Sequence, residues 1–195
     1  MCEHGQVSRT SVLVLVALGA AIAGFAFSTN ARRDDGDAAS SAKTVAAGPQ
    51  RATLGWRETA GEAGEQLVFS VESLEILSDG WRAKLSVENQ STTSYKMAST
   101  LSQPFGLMVF SSGDYAELME QNESGTLPTV RPATRYEPRL PAVLEPGDSW
   151  TGTISAPGAL VANGWVRVVF GALISVVEPR DVVAWISDHT YRLRP

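Results

Sequence analysis

From Trp81 to Glu88 the chain alternates without a miss: Trp81, Ala83, Leu85 and Val87 on one side, Arg82, Lys84, Ser86 and Glu88 on the other. Successive side chains of a strand point to opposite faces, so a period of two describes a strand with one dry and one wet face. A helix would scatter the same residues around its axis. The dry face needs a second layer to cover it. Ser78-Asp79-Gly80, just upstream, is tight-turn chemistry, and Glu65 to Leu77 (EQLVFSVESLEIL) is rich in β-formers. The runs 67–77 and 81–88 are therefore expected to pair as antiparallel neighbours.

Further runs of the same texture follow. PFGLMVF (104–110), SWTGTIS (149–155) and WVRVVFGAL (165–173) each read as a strand, and VVAWIS with HTYRL (182–193) supplies a sixth, bent one. Pro146-Gly147-Asp148 turns the chain into the 149–155 strand, Pro157-Gly158 ends it, and Asn163-Gly164 turns it again. Trp150 and Trp165 are accordingly expected on adjacent strands in a hairpin-like unit. No crossover helix separates the strands, so antiparallel connection and an all-β sandwich are expected.

The least regular part is 112–142, read as an insertion. Tyr115 to Glu123 (YAELMEQNE) has helical spacing, with Tyr115, Leu118 and Met119 on one side. After it come Pro128, Pro132, Pro138, Pro141 and Pro146. Proline lacks the N–H that a helix interior or a central strand requires, so this stretch is expected to be an extended, polyproline-like loop. Arg131, Arg135, Tyr136 and Arg139 decorate it and are the candidate partner-binding residues. The competing reading of the same loop is a cover over a sheet edge.

Ser11 to Thr29 carries no charge. It reaches the lower part of the spanning range of about 17 to 25 residues. Two readings stand: an uncleaved transmembrane helix, or a signal peptide with Ala26-Phe27-Ser28 as its cleavage site. Residues 1–10 then form a short cytoplasmic tail. Residues 30–53 contain no aromatic and few large aliphatics, too little apolar surface to offset chain entropy, and read as a disordered linker. Residues 54–195 form the folded domain. The expected partner of 11–29 is a lipid bilayer. The expected location is the cell membrane, single-pass, with the domain on the extracytoplasmic side, or secreted if the segment is cleaved.

At this point a resemblance enters. WRAKLSVENQSTTSYKM followed by LEPGDSWTGTISAP and WVRVVFG resembles the immunoglobulin-like domains of bacterial envelope proteins, over about 65–175. The matching positions are Asn89, Ser91, Leu144, Pro146, Gly147 and Pro157. The resemblance implies an immunoglobulin-like sandwich that serves as a binding, spacer or inhibitor module, and an envelope protein as partner. Unlike disulfide-bearing immunoglobulin domains, this chain has no cysteine pair: Cys2 is its one cysteine.

Chemistry is sparse. The only histidines are His4 and His189. Asp188 and His189 are adjacent, which on a strand puts them on opposite faces and makes them poor triad partners. Two histidines and one remote cysteine do not build a usual zinc site, and no phosphate-cradling glycine loop is present. Arg33-Asp34-Asp35-Gly36-Asp37 lacks the later glutamate of a calcium loop. The net charge of −5, with no basic stripe, argues against nucleic acid. Asn89-Gln90-Ser91 and Asn122-Glu123-Ser124 match the glycosylation pattern, which is common by chance. The expected function is a membrane-tethered binding or accessory module without catalysis or cofactor. The alternatives are an envelope protease inhibitor and a hydrolase built from scattered acids.

Overall fold

Two antiparallel sheets face each other across one apolar core. The structure, a computed structural model, describes residues 45–97, 105–178 and 180–195. The tail, the uncharged segment 11–29 and the linker up to residue 44 lie outside the described residues. Among the described residues no helix is long and apolar enough to cross a membrane.

In chain order the elements are β1 (Gln50–Ala60), β2 (Gln66–Ile76), β3 (Gly80–Gln90), β4 (Tyr95–Met97), β5 (Gly106–Phe110) and α1 (Tyr115–Ser124). After the helix come β6 (Arg131–Pro132), β7 (Arg135–Glu137), β8 (Val143–Leu144), β9 (Ser149–Pro157), β10 (Trp165–Ser175), β11 (Val182–Ile186) and β12 (Tyr191–Arg192). The first sheet has the order β1-β2-β3-β9-β7. In the second, β10 is central: β5 and β4 pair along one side of it, β11 and β12 along the other, with β6 beyond β5 and β8 beyond β4.

The β2–β3 pair forms as its alternation demands, with Leu77 N–H donating to Gly80 O at 2.8 Å to close the turn. β2 carries a bulge between Val71 and Ser73. That extra residue, Glu72, switches the inward set from Leu67, Phe69 and Val71 to Leu74 and Ile76, which keeps all five buried. Facing them from β10 are Val166, Val168, Phe170 and Leu173, all at most 1% exposed. Phe69 stacks on Trp185 of β11 (5.6 Å, 8°) and meets Phe170 at 4.9 Å. Phe105 meets Phe170 and Trp150 edge-on at 6.2 and 6.3 Å. Each such pair adds about 0.5–1.5 kcal/mol to the burial itself.

The outer face of the second sheet is also covered. α1 is capped by Asp114, whose carboxylate accepts from Ala116 N–H, and by Gly125 in the left-handed conformation. Leu118 is its fully buried residue and packs with Met108, Phe110 and Val169. Tyr115, expected on the same side, is 44% exposed. The helix is short, and one side chain anchors it.

Four sequence expectations need correction. Residues 45–53, read as linker, are part of the sandwich: Ala46 bridges Val161, Ala47 N–H donates to Leu160 O at 2.7 Å, and β1 starts at Gln50. Their small and polar composition hid this, because an edge strand buries only alternate residues. Trp150 and Trp165 are not on neighbouring strands. β9 lies in the first sheet and β10 in the second, so residues 158–164 cross between sheets. Turn residues dictate that a chain turns, not which sheet receives it. The bent sixth strand is two short strands, each pairing with β10. The proline-rich stretch, expected as an extended loop, contains two short edge strands, β6 and β7, which pair with β5 and β9.

The two ends of the described domain lie together. Gly48 N–H donates to Arg194 O at 3.1 Å, and the Gln50 side chain bonds both Arg194 O and Arg194 N–H.

Candidate functional site

The proline-rich segment is fastened to both sheets. β6 pairs with β5 at Gly106 and Leu107, and β7 pairs with β9 from Thr153 to Ser155. Between them Ala133 N–H donates to Phe105 O (2.8 Å) and Thr134 N–H to Ser155 O (2.9 Å). The prolines confine both pieces to sheet edges, where a missing donor costs no ladder bond. The segment thus seals one open side of the sandwich, and close approach is built in at Gly106, where an added Cβ would stand 2.3 Å from Arg131 O.

The four residues singled out in the sequence do not share one surface. Tyr136 points inward, half-buried, with its ring edge-on to Phe105 at 6.2 Å, and desolvation raises its pKa above the ordinary tyrosine value. It is a core residue. Arg131, Arg135 and Arg139 are exposed. Arg131 donates to Ala159 O at 3.3 Å, and Arg135 Nε lies 3.7 Å from Glu137. Of these, Arg135 lines a recess.

That recess is an open groove of about 640 Å³ on the wet face of the first sheet. Its walls come from the start of β3, the end of β9 and β7, and include Asp79, Arg82, Arg135, Glu137, Thr153 and Ser155 over a floor at Trp81. Register aligns the charges. Arg135 is opposite Ser155, and Ser155 is opposite Arg82, so the three residues share one cross-strand row. Glu137 lies opposite Thr153 in a neighbouring row, and Asp79 sits at the turn beyond Pro157. Arg82 pairs with Glu75 through Nε at 3.0 Å. Both arginine pairs are largely exposed, where an ion pair is worth about 0–1 kcal/mol.

The opposite open side is closed by a carboxylate. Glu58 of β1, its side chain 8% exposed, accepts from Trp185 Nε1–H at 2.6 Å and lies 2.6 Å from His189 Nδ1. It also accepts the His189 backbone N–H at 3.3 Å. Trp56 stacks on the histidine ring at 5.4 Å. The partner of His189 is therefore a glutamate 131 positions away, not its neighbour Asp188. Close by, Arg167 is fully buried on the outer face of β10. It donates to the carbonyls of Ser187, Asp188, Gly113 and Asp114 and lies over the Phe110 ring. Burial lowers its pKa, opposed by the carboxylates of Asp188 and Glu58. This guanidinium joins the start of α1 to the β11–β12 loop. Nothing in the one-dimensional pattern of β10 marked it as buried.

Of the residues that carried the resemblance, Asn89, Ser91, Leu144 and Gly147 meet in space, whereas Pro157 lies at the far end of β9, opposite Gly80. Asn89 is fully buried. Its Nδ2 donates to Thr93 O (2.8 Å) and Leu144 O (3.0 Å), and its Oδ1 accepts from Ser91 N–H (3.0 Å) and Ser91 Oγ (2.7 Å). Its backbone exchanges bonds with the next turn: Asn89 N–H donates to Asp148 O, and Gly147 N–H donates to Asn89 O. Gly147 takes φ +81°, which glycine adopts without strain. The motif is a buckle between the end of β3 and the entry to β9. Its role is structural, and its burial removes the Asn89 glycosylation pattern from reach in the folded state.

Among the described residues no three His, Cys, Asp or Glu side chains gather as a metal site. No protein-family model matches the chain, and neither the curated proteins nor the solved structures contain one similar to it.

Proposed function

We propose that the chain is a non-catalytic binding or accessory module, held at a membrane by residues 11–29 with its domain on the extracytoplasmic side, and that it engages an acidic partner through the arginine-bearing edge at 129–140. The fold part of this reading is immunoglobulin-like. Its support is strand order: β2-β3-β9-β7 in one sheet, and β5 and β4 then β10 then β11 in the other, repeat the A-B-E-D and C-F-G order of the constant-type domain, with β1 as an added edge strand. The membrane part rests on the uncharged run from Ser11 to Thr29.

The observation that carries the contact surface is the double attachment of the proline-rich segment. Arg131 and Arg135 project from backbone paired with β5 and β9, and Arg139 follows two residues beyond β7, so presenting the first two costs little further ordering on binding. Tyr136 supports that surface from inside. Loops at the margins of a rigid sandwich are where such folds place recognition.

The test is crosslinking of the full-length chain in native membranes, compared with the triple variant Arg131→Gln, Arg135→Gln, Arg139→Gln. A crosslinked partner lost in the variant supports the reading. The same partner captured equally by both removes this edge from consideration. Extraction by salt alone would sink the membrane part separately.

A further inference from the structure

The first sheet ends on a strand with one side unpaired. β1 is 11 residues long and pairs with β2; along its other side no strand lies among the described residues. The other marginal strands, β6, β7, β8, β11 and β12, run from 2 to 5 residues. Folded chains usually keep such edges short, because a long one offers its N–H and C=O groups to any extended segment. Leu77 N–H donates to Gly80 O and Asn89 N–H to Asp148 O, which fixes the alternation of bonds across β2 and β3 on both sides of the Glu72 bulge. Carried to β1 by its register, the alternation turns the backbone of Gln50, Ala52, Trp56, Glu58 and Ala60 toward β2. The N–H and C=O groups of Arg51, Thr53, Arg57 and Thr59 face outward, and no backbone hydrogen bond outside the ladders reaches them among the described residues. Arg-x-Thr thus occurs twice along the edge, at 51–53 and 57–59, on either side of the bulge at Leu54 and Gly55. Arg51, Thr53 and Arg57 are exposed on the wet face, and Leu54 and Trp56 on the dry side are only partly buried. The carboxylates on the two strands behind are already paired: Glu72 with Lys84, Glu75 with Arg82, Glu88 with Arg57. Arg51 has no ion pair among the described residues.

From this arrangement we infer that β1 is a strand-addition site for an extended acidic segment of another protein. Antiparallel addition sets acidic side chains beside Arg51 and Arg57 on the wet face and apolar ones over Leu54 and Trp56 on the other. Backbone bonds to the four outward residues supply affinity, and the two arginines choose the strand. A second copy of this chain is the poorer fit. Antiparallel pairing of β1 with itself about Gly55 puts Arg57 opposite the copy's Thr53 and diagonal to the copy's Arg51, which gathers four guanidinium groups in one strip. A shift of the pairing by two residues sets Arg51 directly opposite Arg57, and like charges so placed are destabilising. The inference goes beyond the arginine-bearing edge at 129–140. In the order β1-β2-β3-β9-β7 the two edges are the opposite ends of one sheet, so one ligand can fill either without meeting the other.

The test is titration of the full-length chain in detergent with a peptide of about nine residues alternating glutamate and valine, read by calorimetry and by amide exchange. The comparison probes are the same peptide with lysine for glutamate, the same peptide N-methylated at its glutamates, whose N–H groups would face β1, and hexaglutamate. The expected result is saturable binding at millimolar or lower concentration, with slower exchange at the N–H groups of Arg51, Thr53, Arg57 and Thr59. Lysine or N-methylation weakens binding about tenfold or more. Thr53→Pro removes an outward N–H without breaking a bond to β2 and weakens binding by a similar factor at an unchanged thermal midpoint. Arg51→Glu with Arg57→Glu turns the preference to the lysine peptide, which decides the matter whatever the fate of the proline variant. Arg131→Gln with Arg139→Gln leaves binding unchanged. Absence of binding by the glutamate peptide, equal binding of any comparison probe, or binding without slower exchange at those four groups overturns the inference. So does self-association that slows their exchange without peptide. Partner crosslinking lost in the 131/135/139 variant, without peptide binding, leaves the edge reading standing and removes this one.

Discussion

Replacing Asn89 by alanine tests the buckle directly. The side chain makes four hydrogen bonds in a fully buried site: two donated to Thr93 O and Leu144 O, two accepted from Ser91. After Asn89→Ala, Leu144 O and Ser91 N–H lose that partner inside the protein, while Thr93 O keeps Ser91 Oγ at 3.1 Å. Each buried group left without a partner costs about 1–3 kcal/mol, and the small cavity adds to this. The expected destabilisation is roughly 3–5 kcal/mol, or a thermal midpoint lower by about 8–15 °C for a domain of this size. Asn89→Asp sharpens the argument. It keeps the acceptor toward Ser91 but faces Thr93 O and Leu144 O with oxygen instead of N–H, and it buries a charge. It is expected to be at least as damaging as alanine near neutral pH. Circular dichroism melts of the wild type and both variants decide the matter. A loss below about 1 kcal/mol for alanine, or an aspartate variant clearly better than alanine, would show that the two carbonyls do not depend on this side chain.

Three further outcomes follow from the geometry. Glu58→Gln sets a donor against either Trp185 Nε1–H or the His189 backbone N–H, so it should cost about 2 kcal/mol and red-shift tryptophan emission; an unchanged melt would remove Glu58 as the closure of that side. Gly106→Ala drives a Cβ into Arg131 O and should unpair β6 from β5, seen as faster amide exchange of Leu107 and Ala133 N–H, and protection unchanged at both would contradict the close approach. The Glu117 carboxylate has its pKa lowered by hydrogen bonds from Ser111 and Ser112. Its contribution is therefore present above the unfolded-state pKa and lost as pH falls through the lower folded value; the acid limb of a stability–pH curve should be shallower in Glu117→Gln, and an identical limb refutes the contribution.

What could be read without coordinates was local and periodic. The β2–β3 ladder follows from alternation plus a turn, and α1 from spacing over Tyr115 to Glu123. What could not be read depends on which strands become neighbours. Arg82 is plainly a wet-face residue in the sequence, but its alignment with Arg135 through Ser155 needs the β3-β9-β7 order. Asn89 and Leu144 are 55 positions apart, and Glu58 and His189 are 131. Arg167 sits among apolar residues of β10 and is buried because a helix from elsewhere covers that face. Tyr136 was grouped with three arginines by proximity in the chain, whereas strand alternation turns it away from them.

The hydrogen bond from Gly48 to Arg194 makes the backbone of this domain nearly a ring. Segments 45–50 and 193–195 share one pole, next to the start of β10 through the bonds of Leu193 to Asn163 and Gly164. β10 then carries the chain roughly 30 Å to the other pole, where Val176, Val177 and Val182 are exposed. Anything joined ahead of Val45 and anything joined behind Pro195 would stand shoulder to shoulder. Copies linked in tandem would fold back on one another like hairpins instead of extending as beads on a line, and a reporter fused behind Pro195 would crowd whatever precedes Val45 while leaving the valine-bearing pole clear.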